Sequence, residues 1–135
     1  MKRYFLDSSF VIAAGLKRDQ NHARAAEVWP QLLHSGVQLV TTAFVFEEVV
    51  TFLNRKGEHE LAVHLGDVML ASPHVERYRV GWDVFKAAWT FFVQHQDKRY
   101  SLTDCISFVV MNRETIVEAL TFDGHFTQAG FRAVT

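Results

Sequence analysis

Arg3-Tyr4-Phe5-Leu6-Asp7-Ser8-Ser9 is the stretch whose reading decides the fold. An apolar run stops at an acid and two hydroxyl residues, the pattern of a buried strand passing into a helix start. Phe10, Val11, Ala13 and Ala14 continue as a short helix towards Gly15. The strand therefore ends on a carboxylate. In open α/β sheets the crevice beyond the carboxyl ends of the strands is where ligands bind.

Outward from this unit, strands and helices alternate. Asn21 is placed to cap a helix carrying Ala25, Val28, Trp29, Leu32 and Leu33 and ending near Gly36, with a kink or early break expected at Pro30. Residues 37–41 are β-branched and apolar and read as a second strand; Thr42 then caps a strong helix over 43–55, before Gly57. Further helices are expected over 58–71, 82–95 and 102–112, with strands at 75–80, 116–121 and 131–134. The expected fold is α/β, a central mostly parallel sheet of about five strands with helices on both faces. No linker or repeat interrupts the pattern, so residues 1–135 read as one domain.

Composition narrows the class. The chain has 135 residues, 49% of them hydrophobic, with 12 Phe and 3 Trp, enough apolar mass for a core without staples. One cysteine, Cys105, excludes an internal disulfide and a Cys-rich zinc cage, and reads as a small buried residue. The N-terminus carries no signal-peptide apolar region and no run spans a bilayer, so a cytoplasmic protein without membrane association is expected. Fourteen Lys and Arg against fifteen Asp and Glu give a net charge of -1, and no basic excess advertises a phosphate partner.

Four acids stand out, each with a bland alternative. Asp7 is at a strand end but also suits a helix cap. Glu48 lies in the most apolar helix, on an arc flanked by Phe44, Val45 and Phe52, a place that equally suits a surface glutamate at the helix edge, whereas Phe46, Val49, Val50 and Leu53 form the expected core stripe. Its neighbour Glu47 falls beside Thr51 and Asn54 on the solvent side. Asp104 completes a capping-box pattern with Ser101. Asp123 precedes Gly124 in an ordinary turn pair; His125 in that turn offers a metal or phosphate contact, although a turn histidine is more often neither. Strand ends and helix starts meet at one edge of a parallel sheet, which would bring all four together. Converging carboxylates repel one another, and a hard cation such as Mg²⁺ or Mn²⁺ with its preference for oxygen relieves that repulsion.

Tyr4-Phe5-Leu6-Asp7-Ser8-Ser9, Thr41-Thr42-Ala43-Phe44-Val45-Phe46-Glu47-Glu48, the segment from Tyr100 to Phe108 around Asp104, and Ala119-Leu120-Thr121-Phe122-Asp123-Gly124-His125-Phe126 together resemble the PIN-domain nucleases. The resemblance runs in family order over nearly the whole chain. It implies Asp7, Glu48, Asp104 and Asp123 as the catalytic and metal-holding acids, Thr103 or Ser101 as a supporting neighbour, Mg²⁺ or Mn²⁺ as cofactor, and metal-dependent endoribonuclease activity on an RNA substrate. Small stand-alone members resemble the VapC-type toxins of bacterial toxin–antitoxin pairs, which implies a cognate antitoxin and a homodimer. Ser8 departs from the threonine of many members but keeps the hydroxyl.

Two other readings compete. A phosphatase with Asp7 as covalent nucleophile would place a second Asp two residues later, where this chain has Ser9. A non-catalytic RNA- or partner-binding domain of the same fold would bind metal without cleaving RNA. Phe85, Trp89, Phe91 and Phe92 read as a buried or dimer-forming helix face, and Lys98, Arg99 and Tyr100 as a solvated loop.

Overall fold

The computed structural model describes residues 2–135. Its elements are β1 (Arg3–Leu6), α1 (Ser8–Gly15), α2 (His22–His34), β2 (Gln38–Thr42), α3 (Ala43–Arg55), α4 (His59–Ala71), β3 (Val75–Tyr78), α5 (Trp82–Gln94), α6 (Leu102–Arg113), β4 (Glu118–Leu120), α7 (His125–Gln128) and β5 (Arg132–Ala133). The five strands form one sheet in the order β3-β2-β1-β4-β5. Every pairing is parallel, with Phe5 opposite Val40 on one side and Ala119 on the other.

This order fixes the layers. From β1 the chain steps to β2 and on to β3, and right-handed crossovers put α1 to α4 on one face. It then returns past both strands to β4, which places α5, α6 and α7 on the opposite face. Contacts follow this division: α1 packs on α2, α3 and α4, while α6 packs on α5 and α7. Because both faces are covered, successive residues of β1 are buried alike, Phe5 at 0% and Leu6 at 1% exposure. Phe5 meets Phe126 at 6.3 Å between ring centroids, and Phe126 meets Phe108 edge-on at 5.1 Å.

Three local expectations need correction. The helix through Pro30 does not break, and α2 runs to His34. Pro30 is exposed, and so is Ala26, the residue whose carbonyl loses its amide partner to the proline. Buried Ala25, Val28 and Leu32 hold the helix to the core on both sides of it. Asn21 occupies the cap position of α2 without a side-chain capping bond. In α3 the buried stripe is Val45, Val49 and Leu53, whereas Phe46 and Val50 are half-buried against α4. Gly66 is where they meet α4: a Cβ there would lie 3.3 Å from Phe46 Cζ, so its bareness lets α4 close on that side of α3.

The strand order reverses at β1, whose two neighbours are reached by connections leaving in opposite directions. That reversal opens a crevice beyond the carboxyl ends of β1 and β4. Asp7 follows β1 directly, and Asp123 follows β4 by three residues.

Candidate active site

Asp7, Glu48, Asp104 and Asp123 line one open cleft at this edge, together with Ser8, Ser9, Phe52, Arg99, Ser101 and His125. Asp7 is 3% exposed and is the N-cap of α1, as its bland reading expected. Its Oδ2 accepts from Ser9 Oγ at 2.7 Å, Thr121 Oγ1 at 2.7 Å and the Ser9 amide at 3.4 Å. Thr121 Oγ1 also accepts from the Asp123 amide at 2.9 Å, and Ser9 Oγ accepts from the Phe122 amide at 2.9 Å. Two hydroxyls thus tie the end of β1 to the loop after β4.

The other acids are held in the same manner. Ser8 Oγ donates to Glu48 Oε1 at 2.9 Å, across from the N-terminal half of α3. Glu47 is exposed and accepts from Thr51 on its own helix, so Glu48 alone of the pair faces the cleft. Asp104 completes the capping box, its Oδ2 accepting from the Ser101 amide at 3.1 Å while Ser101 Oγ accepts from the Asp104 amide at 3.0 Å. His125 Nδ1 lies 2.9 Å from Asp104 Oδ2 and 3.3 Å from Asp123 Oδ1, and the His125 amide donates to Asp123 Oδ1 at 2.9 Å. Among the described residues, each carboxylate meets the fold through one oxygen, leaving the other available to the cleft.

Burial pushes the carboxyls of Asp7, Glu48 and Asp104 above their ordinary range. Hydrogen bonds pull the other way: Ser9 and Thr121 on Asp7, Ser8 on Glu48, the Ser101 amide and His125 on Asp104. Neighbouring charge adds to the burial, Asp104 and Asp123 acting on Asp7, and Asp123 on Asp104. Among the described residues no lysine or arginine pairs with any of the four. Asp104, Asp123 and His125 bring one ligand atom each to within 4.8 Å of one another. A mostly oxygen donor set with surplus negative charge and a free oxygen on each acid suits a hard divalent cation.

The sequence profile of the PIN domain matches residues 4–132. The chain belongs to the PIN-domain family. It is 35% identical over 127 residues, 94% of each chain, to the 23S rRNA-specific endonuclease VapC20 of Mycobacterium tuberculosis, in strains CDC 1551 and H37Rv alike. Its fold superposes on the crystal structure of M. tuberculosis VapC20, a toxin that cleaves the sarcin–ricin loop, with a TM-score of 0.86 and 34% identity over 95% of each chain.

In this PIN domain the sequence did not reveal that His125 and the serines after Asp7 line the cleft, nor that buried Thr121 holds Asp7 and the Asp123 amide behind it. A histidine two residues after an acid in a turn gives no sign that a third element will meet it; that element is the start of α6. Tyr100 also differs from expectation. It is 6% exposed and packs edge-on against Phe108 at 5.1 Å and His125 at 5.4 Å, while its neighbour Arg99 lines the cleft. The aromatic face of α5 is divided: Phe91 packs on Tyr100 and Phe108, but Trp89 and Phe92 stack on each other and stay exposed. Cys105 is fully buried, and burial pushes its thiol up to about 11, which makes it inert. Among the described residues no helix is long and apolar enough to cross a membrane.

Proposed function

We propose that this PIN-domain protein is a divalent-metal-dependent endoribonuclease that hydrolyses RNA phosphodiester bonds, acting in the cytoplasm as the toxin of a toxin–antitoxin pair. Residues 1–135 act as one domain in this reading. The observation that carries it is the convergence of Asp7, Glu48, Asp104 and Asp123 from separate elements on one cleft, with no lysine or arginine partner among the described residues. VapC20 supplies the RNA class to test first, the sarcin–ricin loop of 23S rRNA.

Asp7, Asp104 and Asp123 would hold Mg²⁺ or Mn²⁺, and Glu48 would complete the site. Bound there, the ion makes water more acidic and offsets charge on the phosphate as it is attacked. Ser9 and Thr121 fix the Asp7 carboxylate, and the Ser101 amide and His125 fix Asp104, so the free oxygens are aimed before substrate arrives. Glu48, its Oε1 held by Ser8, would turn its other oxygen to the ion. Water as nucleophile leaves the 2′-hydroxyl unused and gives 5′-phosphate and 3′-hydroxyl ends.

The test is cleavage of a sarcin–ricin-loop RNA with Mn²⁺, comparing wild type with Asp7→Asn. The expected result is cleavage by the wild type, loss of at least about 100-fold in the variant, and 5′-phosphate ends. Ends carrying 2′,3′-cyclic phosphate, or full activity in the variant, would refute the mechanism. An antitoxin and a homodimer belong to the same reading, and exposed Trp82, Trp89 and Val93 on α5 give the homodimer an apolar face.

A further inference from the structure

An acid-lined cleft repels the phosphodiester chain it is meant to receive, so the grip on substrate must come from groups beside the acids. Beside them lies α3. Glu48, Phe52 and Lys56 follow one another at intervals of four, which places them on one side of the helix, about 6 Å apart along its axis. Phe52 is 39% exposed and lines both the acidic cleft and the adjoining groove, which it shares with Glu48, Thr51, Arg55 and Lys56. Lys56 Nζ stands over the Phe52 ring, 5.5 Å from its centroid. Arg18 donates to the Lys56 carbonyl at 3.4 Å and pairs with Glu58 at 2.8 Å, which steadies the end of the helix.

Charge supports the same direction. Arg55, Lys56 and Arg99 are exposed, and among the described residues none has a carboxylate within the 4.0 Å of an ion pair. Of the two acids on that groove, Glu47 accepts from Thr51 and Glu48 from Ser8, and neither pairs with Arg55 or Lys56. An exposed ring between a catalytic-edge carboxylate and two free cations has the makeup of a stacking platform for single-stranded nucleic acid. A nucleotide presents a flat base beside a phosphate, and so uses the ring and the cations together.

We propose that Phe52, Arg55 and Lys56 form a subsite for a single-stranded stretch of RNA next to the scissile bond. A base stacks on Phe52, and the neighbouring phosphates meet Lys56 and Arg55 on one wall and Arg99 on the other. Stacking and phosphate contacts tolerate any base, so this subsite contributes affinity and register rather than sequence choice. The inference rests on the nuclease reading for its substrate.

The experiment measures binding of a fluorescein-labelled, mixed-sequence single-stranded RNA to the full chain in EDTA, alongside cleavage kinetics and Mn²⁺ titration. Phe52→Ala is expected to raise Kd and KM about 5- to 100-fold, with kcat and Mn²⁺ affinity little changed, and Phe52→Trp to restore binding. The double variant Arg55→Gln, Lys56→Gln is expected to weaken binding and flatten the slope of log Kd against log salt by about 1 to 1.5. Unchanged RNA affinity in Phe52→Ala overturns the subsite while leaving the nuclease reading intact. RNA binding that depends on Phe52 without any cleavage by the wild type retains the subsite and removes the nuclease. Absence of RNA binding by the wild type overturns the subsite.

Discussion

Replacing Asp104 by Asn separates a metal-holding carboxylate from a mere helix cap by the sign of the stability change. Asp104 and Asp123 bring ligand atoms to within 4.8 Å of one another. At an effective dielectric near 20, two unit charges at that distance repel by about 3 kcal/mol. The variant removes this repulsion. It also turns a charge-assisted bond from the Ser101 amide into a neutral one and weakens the contact to His125, together about 1 to 2 kcal/mol. The metal-free variant should therefore be more stable than wild type by about 1 to 2 kcal/mol, or about 4 to 8 °C in Tm for a chain of this size. Mn²⁺ should reverse the order: at about 100 times Kd it adds about 2.7 kcal/mol to the wild type and much less to the variant. Thermal melts in EDTA and in Mn²⁺ at pH 8 read both numbers. A variant less stable than wild type in EDTA, with Mn²⁺ moving neither, would reduce Asp104 to its capping role and refute the reasoning.

The stability gap between Asp7→Asn and wild type in EDTA should close as pH falls. Asp7's carboxyl is raised above 3.8, so its protonation favours the folded state; that stability is full below the ordinary value and is lost as pH rises through the raised one. Denaturant midpoints at pH 8 and pH 4.5 check this, and a gap that widens on acidification would contradict it. Thr121→Val, which keeps volume but removes the hydroxyl serving Asp7 and the Asp123 amide, should weaken Mn²⁺ binding about 10- to 100-fold, with Thr121→Ser retaining it. Calorimetry showing equal affinity in the valine variant would deny Thr121 its positioning role.

The α/β alternation was legible because parallel strands buried on both faces read as apolar runs, and Thr42 and Ser101 cap their helices as their sequence patterns indicate. Glu48 could be chosen over Glu47 because helical periodicity alone separates their directions. What sequence could not convey was contact between distant elements. Tyr100 was read as loop because it follows Lys98 and Arg99, yet its ring fills the space between Phe108 and His125. The core stripe of α3 was misplaced because nothing local to α3 tells which of its apolar residues are fully enclosed and which meet only α4. Two of the bland readings also contained part of the outcome: Asp7 and Asp104 do cap helices, with one oxygen, and local patterns say nothing of the second.

The hydroxyl tie between Asp7 and Thr121 joins residues separated by 114 positions. During synthesis Asp7 is made more than a hundred residues before Thr121, the partner that orients it. No partly made chain lacking Thr121 and Asp123 can assemble the acid cluster, however well its early helices have formed. For a protein proposed to cut RNA and built by a machine made of RNA, the order in which the cluster is completed delays the hazard until Thr121 and Asp123 have been made.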